Sequence, residues 1–126
     1  MDIEAFRDYC LSKPLVEESF PFDHSTLVFK VSGKMFALTN LNNEYFTVNL
    51  KCDPERSIEL REQFEEVQPG FHMNKKHWNT VLFEGRIRHN KLIELIDHSY
   101  DLVVKKLPAN KRNEIDSLLN AQRNIP

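Results

Sequence analysis

The sequence of 126 residues is short of glycine and cysteine, and each shortage excludes a class of site. Three glycines are too few for the glycine-rich loops that cradle phosphates in nucleotide-dependent enzymes. The two cysteines, Cys10 and Cys52, lie far apart and outside any CxxC pattern, so we expect reduced thiols. His72 and His77 are five positions apart, which is not a metal-ligand spacing on a helix or a strand. The sequence therefore predicts neither a metal site nor a cofactor.

Long apolar runs are also missing. No segment approaches the roughly 18 consecutive apolar residues that a membrane span requires. The N-terminal segment carries acids where a secretory signal has basic residues followed by an apolar run. We therefore expect a cytoplasmic protein without a membrane partner. Apolar residues make up 40% of the chain and charged residues 29%, which is typical of a globular domain that folds by itself.

The sequence also lacks an excess of basic charge. The formal net charge is −2, whereas a domain that coats phosphate backbones is usually basic overall. The charges are nevertheless uneven along the chain. Residues 71–91 carry five cations and one acid, a net charge of +4, while residues 1–26 carry two cations and six acids, a net charge of −4. The second half of the chain therefore contains a local basic segment.

Apolar residues at three- to four-residue spacing predict helices. The first helix begins after the capping residue Asp2 and runs to about Ser12. Residues 15–24, which a proline interrupts, are expected to form a loop or a short turn. The second helix spans about 54–67, because Asp-Pro favours a helix start and Pro-Gly favours a stop.

A long third helix follows in the second half of the chain. It starts near Asn90, and Pro108 ends it. The tail, residues 109–126, is expected to add one weak helix with a frayed end, and Asn110 could act as its cap. The buried stripe of the third helix consists of Leu92, Ile96, Tyr100, Val103 and Leu107.

Five short segments have the composition of strands. LVFKV and KMFAL are separated by Ser-Gly, which predicts a two-residue hairpin. A register that pairs Val31 with Lys34 places Phe29 opposite Phe36. The segment EYFTVNLK adds a third strand to this meander, and FHM and WNTVLF predict two further strands joined by a turn at NKK. The core face of the hairpin is then expected to hold Leu27, Phe29, Val31, Phe36 and Leu38.

The predicted order of elements is α-β-β-β-α-β-β-α plus a short C-terminal helix. The most economical way to bury the apolar stripes is a two-layer α+β fold, with the helices packed on one face of an antiparallel sheet. Residues 1–108 are expected to form a single domain and residues 109–126 a helical tail.

The segment NKKHWNT, residues 74–80, is the best candidate for ligand binding. Cations beside an exposed indole can hold a phosphate while the ring stacks on a base, which points to Lys75, Lys76 and Trp78. The alternative is that Trp78 anchors the core or a hairpin, that Asn74 caps a turn, and that the lysines are solvated. The sequence leaves both interpretations open.

Four segments together resemble the MmcQ/YjbR family. They are LVFKVSGKMFAL (27–38), VNLKCDPE (48–55), PGFHMNKKHWNTV (69–81) and LIDHSYDLVVKKLP (95–108). The resemblance extends from the first helix to Pro108, and its most specific part lies between His72 and Trp78. The resemblance implies a fold of order αβββαββα, like that of secretion chaperones. Members of this family are labelled DNA-binding proteins with a double-wing motif, so the resemblance also implies DNA binding.

The family motif transfers to this sequence residue by residue. Its signature here is Asn74, Lys75, His77, Trp78 and Thr80. Lys34 at the first hairpin tip and Lys51 could extend a basic surface beside the motif. The full set of candidate nucleic-acid-binding residues is Asn74, Lys75, Lys76, His77, Trp78, Thr80, Arg86, Arg88 and Lys34.

Two kinds of function are compatible with these features. The first is a non-enzymatic DNA-binding protein, whose affinity would fall with salt as counterions are released from phosphates. The second is a protein-interaction or chaperone-like module, which would expose an apolar patch of roughly several hundred Å². An enzyme is not expected, because no nucleophile elbow is present and the histidines would have to meet a carboxylate or a thiol in a pocket.

Overall fold

The sheet is built from six strands, and the computed structural model describes residues 1–124. The strands are β1 (Val16–Ser19), β2 (Thr26–Val31), β3 (Lys34–Asn40), β4 (Thr47–Lys51), β5 (Val67–Pro69) and β6 (Trp78–Leu82). They pair antiparallel throughout, in the order β1-β2-β3-β4-β6-β5. The expected meander of β2, β3 and β4 is confirmed and forms the middle of the sheet.

Four helices complete the fold: α1 (Ile3–Leu11), α2 (Pro54–Gln63), α3 (His89–Lys105) and α4 (Ala109–Arg123). The Asp2 carboxylate accepts the Ala5 N–H at 2.8 Å at the start of α1, and Asp53 caps α2 in the same way. The expected cap at Asn110 is wrong, because Pro108 occupies the cap position of α4 and no side chain bonds there. Residues 125–126 of the predicted frayed tail lie outside the described residues. None of the helices within residues 1–124 combines the length and hydrophobicity of a membrane span.

The first strand replaces part of the loop expected over residues 15–24. β1 pairs with β2 from Val16 opposite Val31 to Ser19 opposite Val28. Its sequence, VEES, contains one apolar residue and no alternation, so local propensity does not identify it. Pairing with the edge of β2 creates the strand, which is a tertiary effect.

The second helix is shorter than expected and the strand after it was missed. Phe64 is extended, with φ −126° and ψ 121°, so α2 stops before residue 67. Val67 instead belongs to β5, where it pairs with Val81. The segment FHM, predicted as a strand, forms a turn in which His72 has a φ of +60°. The partner of β6 is therefore β5, which precedes this turn.

A β-bulge in the hairpin overturns the predicted register. Val31 pairs with Lys34 as expected, but Phe29 pairs with Ala37 because Phe36 is an extra residue on β3. The extra residue reverses the alternation beyond it. Leu38 consequently pairs with Val28 and faces away from the main core, contrary to the expected core face.

Two apolar clusters lie on opposite faces of the sheet. The larger one receives buried side chains from all four helices, and Phe6 at its centre packs edge-on against Phe29 at 5.3 Å and Phe83 at 5.4 Å between ring centroids. The smaller cluster consists of Val28, Leu38 and Trp78, with Met35 and Met73 packed against it. The two-layer α+β fold with helices on one face is therefore confirmed, and the second face of the sheet stays open.

A buried serine ties α3 to the sheet where β3 and β4 begin to separate. The Lys51 N–H donates to Ser99 Oγ at 2.8 Å, and the Ser99 hydroxyl donates to the Phe36 carbonyl at 2.5 Å. Ser99 is fully buried, so water does not replace these bonds in a variant that lacks the hydroxyl.

We expect Ser99→Ala to lower the free energy of unfolding by about 1–3 kcal/mol, because two buried backbone groups lose their partner. Urea denaturation measures the change. Ser117→Ala, on the exposed face of α4, is the matched control and should change the value by less than about 0.5 kcal/mol. Equal effects of the two substitutions would contradict the role assigned to Ser99.

Candidate binding site on the open face of the sheet

Asn74 and Lys75 shape the loop that precedes β6. Asn74 Oδ1 accepts the Lys76 N–H at 2.9 Å, and the Asn74 carbonyl accepts the Trp78 N–H at 2.9 Å. The Lys75 ammonium donates to the Gly70 carbonyl at 3.0 Å across the loop. Gly70 is required there, since a Cβ atom would lie 2.8 Å from that of Trp78. These residues of the motif thus close a tight loop, as the structural interpretation of Asn74 predicted.

Trp78 is an anchor of the smaller cluster. Its side chain is 6% exposed and packs against Val28 and Leu38. The Lys51 ammonium lies 5.5 Å from the centre of the indole ring, a cation–π contact. Of the two interpretations of Trp78, the buried anchor is the one observed, and the indole offers no free face to a base.

Thr80 connects the motif loop to the neighbouring strand. The Thr80 hydroxyl accepts the Phe71 N–H at 2.9 Å and donates to Asn49 Oδ1 at 2.6 Å. The Asn49 amide in turn donates to the Phe71 carbonyl at 3.3 Å. This closed set of bonds fixes the backbone at Phe71 against β4 and β6.

We expect Thr80→Val to destabilise the protein by about 0.5–1.5 kcal/mol, because the isosteric side chain removes the bonds to the Phe71 N–H and to Asn49. Faster hydrogen exchange at Phe71 should accompany the loss of stability. The measurements are urea denaturation and amide exchange by NMR. Unchanged exchange at Phe71 would contradict the positioning role of Thr80.

The basic candidates are divided between the two ends of β6. Lys76 and His77 are exposed and precede the strand, and Lys34 begins β3 at the same end of the sheet. Arg86 and Arg88 follow β6 and lie at the opposite end. Arg86 forms ion pairs there with two acids, at 3.9 Å to Glu65 and 3.4 Å to Glu66. The segment that is continuous in sequence is therefore not one continuous basic surface.

A recess of about 310 Å³ lies at the end of the sheet that carries Lys76 and His77. Lys51 and Lys106 line it together with Asn74 and His77. Burial lowers the pKa of Lys51, and the nearby charge of Lys106 lowers this pKa further. We call this the lysine recess. Lys106 was not among the sequence candidates, because it is the C-terminal cap of α3 and is distant from the motif in sequence.

His98 supports the wall of the lysine recess. Its Nε2 accepts the N–H of Asp53, a recess residue, at 3.1 Å, so the ring is an acceptor and neutral in this bond. Burial lowers the pKa of His98 below its ordinary value, and the charge of Arg56 adds to the effect.

This shift gives stability a pH dependence of defined sign. Because the pKa of His98 lies below 6.5 in the folded protein, its contribution is present above pH 6.5 and is lost as the pH falls through the folded pKa. We expect the urea midpoint to fall more for the native protein than for His98→Gln between about pH 7.5 and about pH 5. Glutamine keeps an acceptor without titrating. Parallel pH profiles would contradict this assignment.

Beside the lysine recess, the open face contains a groove of about 430 Å³. Two of its residues, Phe22 and Phe71, are 64% and 67% exposed, although phenylalanine is normally buried. No lysine, arginine or carboxylate of residues 1–124 lines the groove. We call it the neutral groove. It is lined by Phe22, Thr26, Met35, Leu38, Thr39, Asn40, Asn43, Thr47, Asn49, Phe71, His72 and Met73.

Sequence reasoning did not identify the neutral groove, because its residues come from four separate segments and form no motif. The exposed phenylalanines flank prolines and glycine in loops, where composition alone does not separate them from core residues.

At the other end of the sheet lies a third depression of about 550 Å³ with three acids, Asp2, Glu44 and Glu84. Within the described part of the chain, no cluster of three or more histidine, cysteine or acidic side chains is placed to hold a metal ion.

Known proteins share this fold and much of this sequence. A sequence model of the family described as YjbR matches residues 11–102. Uncharacterized protein YjbR of Escherichia coli (strain K12) is 36% identical over 112 residues, covering 89% of this chain and 95% of that protein. Uncharacterized protein YyaQ of Bacillus subtilis (strain 168) is 38% identical over 61 residues, covering 48% of this chain and 51% of that protein. The crystal structure of Deinococcus radiodurans protein DR2400, with domain DUF419, has a TM-score of 0.84 and 42% identity over 90% of this chain and 87% of that chain.

An open antiparallel sheet of six strands with four helices on one face defines a two-layer α+β protein, and this fold matches that of DR2400. The resemblance found in the four sequence segments is confirmed by the match over residues 11–102. The chain belongs to the YjbR family.

Proposed function

We propose that this chain is a non-enzymatic nucleic-acid-binding protein, with DNA as the first ligand to test, and that it contacts phosphates through the lysine recess. The observation that carries the proposal is the convergence of Lys51, Lys106 and His77 on one recess. Within residues 1–124, no carboxylate lies within 4.0 Å of the ammonium groups of Lys51 or Lys106. Two uncompensated cations held together are suited to an anion that bridges them.

The acid that shares the recess forms no ion pair within 4.0 Å with either lysine. Asp53 uses its carboxylate to accept the N–H groups of Glu55 at 3.0 Å and Arg56 at 3.3 Å at the start of α2. The exposed Lys76 and Lys34 lie at the same end of the sheet and extend the positive surface. A net charge of −2 is compatible with this role, because the contact depends on local charge density within about one Debye length.

The second candidate function is a protein-interaction or chaperone-like module, which the exposed rings of Phe22 and Phe71 favour. Such a module would bury the apolar residues of the open face against a partner segment. Its affinity would respond to removal of these rings and would be nearly independent of the recess lysines.

The test is fluorescence anisotropy with labelled duplex and single-stranded DNA at about 50 mM and about 200 mM salt. We expect affinity to fall with salt. In Lys51→Ala/Lys106→Ala the magnitude of the slope of log K against log salt should fall by about 1.8 for a duplex and about 1.4 for a single strand, because two phosphate contacts are lost.

Lys91→Ala/Lys111→Ala is the matched control, because it removes the same charge from lysines paired with Glu94 and Glu114. This control should retain the native slope. Equal losses in both double variants would indicate a nonspecific charge effect and contradict the proposed recess. If no nucleic acid binds at low salt, the proposal fails and the protein-interaction function takes its place.

A further inference from the structure

The neutral groove on the open face leads towards the lysine recess at the end of the sheet. Asn49 lines the groove, and Lys51, two residues further along β4 on the same face, lines the recess. Two strand residues span roughly 7 Å. The loop before β6 also passes from the groove to the recess, because Met73 lines the groove and the next residue, Asn74, lines the recess.

The chemistry of the neutral groove suits a planar, uncharged, polar ring. Met35, Leu38 and Met73 supply an apolar floor next to the smaller cluster. Asparagine side chains both donate and accept hydrogen bonds, which matches the mixed donor and acceptor edge of a nucleobase. Asn40 and Asn43 line the groove and supply such groups, and rings of its exposed phenylalanines are available for stacking.

We propose that the groove and the recess form one site for a nucleotide unit, with an unpaired base in the neutral groove and its phosphate at Lys51 and Lys106. This inference extends the proposed function, since it requires a phosphate in the lysine recess. The unit belongs either to a single strand of nucleic acid or to a free mononucleotide.

The geometry favours an unpaired base over a duplex. In a duplex the bases are stacked within the helix and present only their edges in the grooves, whereas a single strand can insert a base between side chains. The bonds from Thr80 and Asn49 to the Phe71 backbone hold one wall of the groove in place before a ligand arrives. Preformed walls reduce the ordering cost of binding.

The variant that tests the inference is Phe71→Ala, whose ring is exposed and contributes little to the core. Phe20→Ala is its matched control, because Phe20 is 47% exposed in a nearby loop and does not line the groove. Thermal unfolding of both variants should match the native protein and so separates binding effects from folding effects.

The assay measures binding of a single strand of about 12 nucleotides, the corresponding duplex, and adenosine monophosphate. We expect the single strand to bind at least about tenfold more tightly than the duplex. Phe71→Ala should weaken single-strand binding by roughly 5-fold to 160-fold, which corresponds to the loss of one stacked base, and leave duplex binding unchanged. Phe20→Ala should bind like the native protein.

The remaining outcomes distinguish a nucleic-acid strand from a free mononucleotide as the ligand, and distinguish failure of this inference from failure of the proposed function. Saturable binding of adenosine monophosphate, lost in both Phe71→Ala and Lys51→Ala/Lys106→Ala, would assign the site to a free mononucleotide. If duplex and single strand bind equally, depend on the two lysines and ignore Phe71, the inference fails while the proposed function stands. If only a peptide partner depends on Phe71 and no nucleic acid binds, both proposals fail.

Discussion

The whole architecture depends on one constraint, which is that every helix packs on the same face of the sheet. Phe6 from the first helix packs edge-on against rings from β2 and from the segment after β6, so that the main core closes around aromatic contacts. Apolar residues on the other face must then be covered by loops and by one another. Val28, Leu38 and Trp78 are buried in this way, whereas the groove beside them remains accessible. The candidate site is thus a consequence of one-sided packing.

The family motif has a different meaning in the structure from the one its composition suggests. The side chains of Asn74 and Thr80 and the backbone of Gly70 form hydrogen bonds within the loop. Trp78 is buried. Under the proposed function, the groups that would contact a ligand, such as Lys51 and Phe71, lie beside the motif. A dense cluster of polar and aromatic residues can therefore mark the support of a site, while the contacts themselves come from neighbouring segments.

Sequence reasoning succeeded where a local signal determined the structure. The caps at Asp2 and Asp53, the Ser-Gly hairpin and the α3 stripe from Leu92 to Val103 are local features, and each is observed. Leu107, the last residue of the predicted stripe, is buried but follows the end of α3. It failed where a distant partner decided the outcome. β1 exists through its pairing with β2, and the bulge at Phe36 reverses the expected face of Leu38. The sequence also could not predict that Lys106 and Lys51 line the same recess, since the packing of α3 on the sheet brings them together.

The positions of the acids and the lysines make the molecule electrically polar along its sheet. Asp2, Glu44 and Glu84 surround the depression at one end of β4, whereas Lys51 and Lys106 occupy the other end, a strand length of roughly 16 Å away. A polyanion that diffuses towards the protein is repelled from the acidic end and attracted to the lysine end, so encounters are oriented before any contact forms. Under the proposed function, the acidic residues would raise the rate of productive collision with a nucleic acid without touching it.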